Sequence, residues 1–393
     1  MRTHAPGATE LWAASGAMAL TGDPDGPALA IDAPVAALLA DAGRQLGIAD
    51  APALLGERAA VFGFTRHGPV SCGGGTRLLR ARDAWAAVAL PRPVDRESIP
   101  AWLGIEPPAG DPWPAVAEAV ASTDGKDLVD RARLLEVPCT LLGEHHGAGT
   151  ACETTEVSPG PPVPGPLVVD LSALWAGPLC AQLIAGVGAA SVVKVEDPAR
   201  PDGSRNAPRA FLDVLNAGKR SVALDLRSAA GRRDLARLLE AADVVVSSSR
   251  PRAFEALGVD VAGVLARRPT VWVAITAHGW DGPGRDRVGF GDDAAVAGGL
   301  TAPGPRFAAD AVADPLTGVL AAVAARAALA RGGSWLLDAP LARAAAYAQS
   351  LAAGTGAPHP LPSPAPPRAR RPAGQARALG ADTAAVLAGL PRG

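Results

Sequence analysis

Three short stretches combine residue types that could do chemistry. Ala176-Gly177-Pro178 follows an apolar run. Its glycine admits close backbone approach, and its proline can open a helix. The free N–H groups at such a helix start can receive an anion, although a turn like this is more often an ordinary strand-to-helix junction. Lys194 and Lys219 lie in the same stretch, two of the few lysines in a chain that takes nearly all its positive charge from arginine. That placement points to a site rather than a solvated face. Ser71-Cys72-Gly73-Gly74-Gly75-Thr76 is either a flexible hairpin tip or a backbone lid able to close over a reactive group. Asp314-Pro315, before an Ala-rich run, reads first as a helix cap with Asp at N-cap and Pro at N1.

These residues need elements to hold them. LVVDLS, SVVKVE, SVALDL, DVVVSSS and TVWVAITAHG read as strands, separated by the helical PLCAQLIAGVGA, AAGRRDLARLLEAA and VDVAGVLARR. Continuous apolar strands alternating with helices imply a parallel sheet covered on both faces. With right-handed crossovers this is an α/β fold, a Rossmann-like doubly wound sheet, which binds ligands beyond the carboxyl ends of its strands. The loaded loops (WAGP, EDPARPDGSR, SSSRPR, AHGWDGPGRDR) all follow strands. Residues 1–153 read as a smaller α+β domain holding the Gly loop, and 154–166 as a Pro-rich linker. Residues 167–353 read as the large α/β domain, and 354–393 as a Pro/Arg-rich strap, or a disordered tail, ending in a helix. Arg368, Arg370 and Arg371 could touch phosphate or simply be solvated. Residues 14–40 echo 295–325 in small residues, turns and an Ala-rich helix, through duplication or through chance in Ala-rich sequence.

Composition narrows the classes. With 393 residues, 48% hydrophobic and 19% charged, the chain suits a soluble globular protein of two or three domains. A net charge of −2 gives no support to nucleic-acid binding. Cys72, Cys139, Cys152 and Cys180 match neither a zinc pattern nor a disulfide scaffold, so a reduced, cytoplasmic protein is expected. No signal peptide and no apolar run long enough to span a bilayer are expected, hence no membrane partner. His145-His146 are expected at the surface, with no metal.

These motifs together resemble the class III CoA-transferases, the formyl-CoA transferase-like family. The resemblance implies coenzyme A or acyl-CoA as substrate, a carboxylic acid as acceptor, and no permanently bound cofactor. It places Leu174, Trp175, Ala176, Gly177 and Pro178 on the CoA, with Lys194, Arg200, Lys219, Ser248, Ser249 and Arg250; Arg200 or Arg205 would substitute for the basic residue that relatives carry at the position of Asp197. It makes Asp314, in an A-D-x-x-T-G pattern, the nucleophile, and Gly73, Gly74 and Gly75 the covering loop. Asp310 ranks second as nucleophile, and Asp292 and Asp293 are further rivals. Departures are Asp197 where a basic residue is usual, Ser248 and Ser249 in place of Asn and Phe, and Ala256 in place of Arg. Phe290 stands where related racemases carry a His, which weighs against two-base proton transfer.

Family order is also permuted: the Gly loop and small domain come first, and the CoA-binding domain follows. Relatives are interlocked homodimers, so a homodimer is implied. The reading is a CoA-transferase. Its alternatives are an acyl-CoA racemase or epimerase of the same fold, or a catalytically silent CoA-binding subunit.

Overall fold

The computed structural model describes residues 7–107, 110–186, 191–354 and 360–391. The start of the Pro-rich tail, 357–359, and residues 1–6 of the front domain fall outside them. Three helices come first: α1 (Ala8–Ala14), α2 (Val35–Leu46) and α3 (Glu57–Phe62). Then β1 (Thr76–Arg80), β2 (Trp85–Ala89) and β3 (Cys139–Leu141) make an antiparallel sheet in the order β1-β2-β3. It is backed by α4 (Pro93–Glu97), α5 (Ile99–Leu103), α6 (Trp113–Ala121) and α7 (Gly125–Leu134). This unit has its own core, built on Val88, Ile99, Trp102, Trp113, Val116 and Leu128.

The rest centres on a seven-stranded sheet. Its strands are β4 (Glu153–Ser158), β5 (Leu167–Leu171), β6 (Ser191–Glu196), β7 (Arg220–Ala223), β8 (Val244–Ser247), β9 (Val271–Ala274) and, after the small β10 (Thr301–Ala302)–β11 (Arg306–Phe307) hairpin, β12 (Ser334–Asp338). The order is β4-β12-β9-β8-β5-β6-β7, parallel except for β4 at one edge. The valines of β5, β6 and β8 are almost wholly buried because helices cover both faces, which is why these strands read as unbroken apolar runs. The helices are α8 (Ala176–Ala185), α9 (Arg209–Asn216), α10 (Ala229–Ala241), α11 (Pro251–Leu257), α12 (Val261–Arg267), α13 (Gly291–Ala297), α14 (Ala313–Arg331), α15 (Leu341–Ser350) and α16 (Thr383–Ala388). Strand order reverses between β5 and β8, so a crevice opens beyond their carboxyl ends.

Several expectations change. Residues 154–158 are not linker: the Thr/Glu/Val alternation pairs antiparallel with β12 and blunts the sheet edge. The front helices do not belong to the small domain. Trp12, Met18, Val35, Leu39, Leu54 and Leu55 share one core with α8 and α14 of the large domain. Helix α14 is, by length and composition, apolar enough to cross a membrane, contrary to expectation. Here it is a core helix packed on α2, α8 and α15. The tail from residue 360 acts as a strap: Arg368 pairs with Asp50, Arg370 with Glu57, and the Ala376 amide donates to Asp213. Those two arginines are therefore tied to carboxylates. Of the two echo segments, only the second holds a strand pair, the β10–β11 hairpin before α14; before α2 there is a single Leu29 N–H to Thr21 carbonyl bond.

Candidate active site

The loops at the strand-order reversal come together. The Ala173 amide donates to Ser248 Oγ at 3.0 Å, tying the loop after β5 to the loop after β8. The Leu174 amide donates to Asp202 Oδ1 at 2.9 Å, which draws in the loop after β6. Leu174 has φ of 68° and a 43% exposed side chain, an apolar residue held in a strained conformation at the crevice mouth. Trp175 is buried and packs edge-on against Phe211. Gly177 is required: a Cβ there would fall 2.2 Å from Ser172 Cβ.

Helix α14 docks directly on this turn. A Cβ at Gly318 would lie 2.6 Å from the Ala176 carbonyl oxygen, so the glycine permits the close approach of the helix that carries Asp314. Asp314 is not the N-cap. The helix begins at Ala313 after Val312, which is itself in the helical region, and the Asp314 amide donates to the Ala311 carbonyl at 2.9 Å. Its carboxylate makes no cap hydrogen bond and belongs to a cluster with Arg58, Asp292 and Asp310. A Cβ on Gly291 would be 2.0 Å from Asp314 Oδ2, so the carboxylate rests on a bare α-carbon.

The cluster joins five separate stretches. Arg58 Nε donates to Asp310 Oδ2 at 2.8 Å, and its Nη2 donates to Oδ1. The Ala311 amide donates to Asp292 Oδ1 at 2.9 Å. Cys72 Sγ donates to the Ala309 carbonyl at 3.4 Å, and the Ala309 amide donates to Thr21 Oγ1 at 2.9 Å. Ala309 and Ala311 both have positive φ, 54° and 43°. With Leu174 they are three of the four non-glycine residues with positive φ among the described residues, so strain concentrates here. Burial drives Asp314 up to about 7; Arg58 opposes, Asp292 adds, and the Ala176 amide opposes. Asp292 is pushed by burial to about 6, against the pull of Arg58. Burial also pushes the Cys72 thiol well up, leaving it inert as a nucleophile at neutral pH. The Gly loop reaches this place: a Cβ on Gly73 would lie 3.8 Å from Arg58 Nη2, and Gly73 and Gly74 are exposed.

The lysine reading is corrected. Lys219 is buried, and its Nζ donates to Asp170 Oδ2 and to the Pro178 carbonyl, both at 2.8 Å. Lys194 is buried and donates to the Ser172 carbonyl at 2.9 Å, with Asp202 Oδ2 at 2.8 Å. Both lysines brace the turn from inside and present no charge to an open surface. Arg205 is engaged by Glu196, while Arg200 stands exposed beside the loop after β6. Arg250 donates to the Asp286 carbonyl at 2.8 Å and to Glu136 of the small domain at 2.9 Å, linking the two units. Ser249 is half-buried next to it.

A second cluster corrects the surface reading of His145. Its Nε2 is 3.2 Å from Nδ1 of the buried His278, and the rings stack. With Glu144, their ligand atoms lie within 4.8 Å of one another. Glu144 is, however, already paired with Arg287 at 2.6 Å, and that guanidinium also disfavours added positive charge on His278. Among the described residues, His278 Nε2 and Asp293 Oδ2 are buried without hydrogen-bond partners, and a Cβ on Gly289 would lie 3.3 Å and 2.8 Å from them.

Sequence reasoning missed Arg58. Its signal was slight: Glu57-Arg58 is the lone charged pair inside the apolar run from Ala51 to Phe64. It also missed β12, α11 and α15, which position the sheet but carry none of the cluster.

A family model described as CoA-transferase family III matches residues 164–372, just over half of the chain. Among curated proteins, the chain is 34% identical over 143 residues to succinyl-CoA–D-citramalate CoA-transferase of Chloroflexus aurantiacus, covering 34% of this chain and 35% of that one. It is 31% identical over 189 residues to succinate–glutarate CoA-transferase of Agrobacterium fabrum, covering 43% and 47%. The chain thus spans less than half the length of these relatives. A crystal structure of a CaiB/BaiF family protein from Brucella suis aligns at 28% identity with TM-score 0.43, over 52% of this chain and 59% of that one.

Proposed function

The chain belongs to CoA-transferase family III, and from that premise we propose that it moves CoA from an acyl-CoA to a carboxylic acid through Asp314. The observation that carries this reading is the Asp314 carboxylate. It rests on the bare α-carbon of Gly291, on a helix that docks through Gly318 on the Ala176 turn, with the exposed Gly loop reaching the same cluster.

In this reading the ionised Asp314 oxygen attacks the thioester carbonyl carbon. The C–S bond breaks, CoA leaves as thiolate, and an acyl-aspartyl anhydride remains. The thiolate then attacks the aspartyl carbon of the anhydride, the first acid departs as carboxylate, and an aspartyl-CoA thioester forms. The second acid receives CoA by the reverse steps. No proton need move, so a carboxylate suffices. Gly73, Gly74 and Gly75 would close over the anhydride and keep out water. The loops at 173–178 and 248–250, with Arg200, would hold the CoA. Asp197 is a half-buried acid whose Oδ1 accepts from the Ala199 amide, and Arg205 is taken by Glu196, so phosphate contact falls to the exposed Arg200.

Relatives named for succinate, glutarate and D-citramalate make dicarboxylates the first acids to assay. The four cysteines are free and three are buried, in keeping with a cytoplasmic protein. The reading also carries a permuted arrangement and a homodimer. The test follows transfer from succinyl-CoA to a panel of acids, with deuterium exchange at the α-carbon measured in parallel. Transfer without exchange is expected. Exchange without transfer would favour the racemase, and CoA binding without either would favour a silent subunit.

A further inference from the structure

We propose that Arg58 is the positioning cation of this site: it fixes the strained segment that carries Asp310 and supplies the positive charge facing Asp292, Asp310 and Asp314. The inference rests on the reading of Asp314 as nucleophile only for its effect on rate. Arg58 lies in the front segment, outside residues 164–372 that match the family model.

Five observations support the role. The Arg58 guanidinium grips both oxygens of the fully buried Asp310, a fork geometry that a lysine cannot reproduce. It sits 5.4 Å from the ring of Trp175, which precedes the Ala176 turn, and 5.7 Å from the ring of Phe64. Neighbouring Glu57 is held by Arg370 of the strap at 2.7 Å, so the backbone at Arg58 is anchored. Asp310 stands between Ala309 and Ala311, both at positive φ, and a bidentate bond to its side chain is what such a segment needs to stay in one conformation. Finally, charge is unbalanced. Asp292 from α13, Asp310 before α14, Asp314 in its first turn and Cys72 from the Gly loop lie together, and among the described residues Arg58 is the cation that acts on each of the three carboxylates.

The charges make opposite predictions for two neutral substitutions. Arg58→Gln removes a cation that favours the Asp314 carboxylate, so its titration midpoint rises. Asp310→Asn removes an anion that disfavours it, so the midpoint falls. Carboxyl-carbon NMR of the full chain labelled with 13C-aspartate, with Asp314→Asn for assignment, reads both. We expect about one pH unit upward for Arg58→Gln and a smaller downward shift for Asp310→Asn. Arg58→Lys should stay closer to the parent, and the acid limb of kcat/KM should move with each midpoint. Midpoints that stay put, or move in the same direction in both variants, overturn the proposal. If Arg58→Gln fails to fold, Arg58→Lys and Asp310→Asn decide it: an unshifted Asp310→Asn midpoint refutes it. Opposite shifts in a protein that shows no transfer would sink the nucleophile reading and leave the role of Arg58 standing.

Discussion

Two clusters of buried charge touch the Ala176-Gly177-Pro178 turn, and they are built differently. In the first, Lys194 and Lys219 face Asp170 and Asp202, two cations against two anions. Burial would raise Asp170, but Lys219 and Lys194 outweigh it and hold the carboxyl down to about 2. Ser172, the Pro178 carbonyl and the Leu174 and Ser204 amides supply further hydrogen bonds, and all four charged side chains are shut from solvent. In the second, Arg58 faces three carboxylates, and Asp292 and Asp314 titrate near neutrality while keeping some exposed surface. A balanced, closed cluster is architecture: it shapes a turn. An unbalanced cluster with access, strain and a bare glycine under its carboxylate is where a reaction can be run.

The contrast can be broken most sharply at Asp314. Asp314→Asn should lower transfer by about a thousandfold or more, with near-UV circular dichroism unchanged. Because Asp314 is no cap, no cap penalty is expected. Next, Gly291→Ala puts a methyl where the Asp314 oxygen lies, 2.0 Å from a Cβ, and should cost about a hundredfold in kcat by misplacing the carboxylate. In the balanced cluster, Lys219→Met strands the buried Asp170. It should cost about 3–5 kcal/mol of stability in denaturant titration, a structural loss with no counterpart in the Asp314 variants. A pH profile separates the clusters more gently. In the free protein kcat/KM should climb about tenfold per unit up to about pH 7 and then level, as Asp314 ionises.

Stability should show the opposite trend. Asp292, Asp293 and Asp314 have native pKa values raised to about 6, 8 and 7, so the native state holds protons that the unfolded chain has lost. Their contribution is full below about pH 4 and declines as pH rises to about 8. Asp170, lowered to about 2, contributes above about pH 4 and loses its contribution toward pH 2. Asp293→Asn should flatten the decline in thermal midpoint between pH 6 and 9.

The parallel sheet was legible because β5, β6, β8 and β9 are buried on both faces and so read as continuous apolar runs. The front helices were misassigned because membership of a core is a long-range property: nothing local to Val35 or Leu39 says that they meet α14. The lysines were misread for a related reason. Rarity marked them correctly as unusual, but a buried lysine beside a buried aspartate looks in sequence like a lysine awaiting phosphate. Asp314 was found through its motif, whereas Arg58 lies more than 250 residues away in a segment with no motif, and folding alone brings them together.

The most direct test is mass spectrometry of the protein mixed with an acyl-CoA and trapped with hydroxylamine. The account predicts one hydroxamate, on the Asp314 residue of the peptide that contains it, and none in Asp314→Asn. Modification of Asp310, Asp292 or Cys72 instead, or steady transfer with Asp314 never modified, would contradict it.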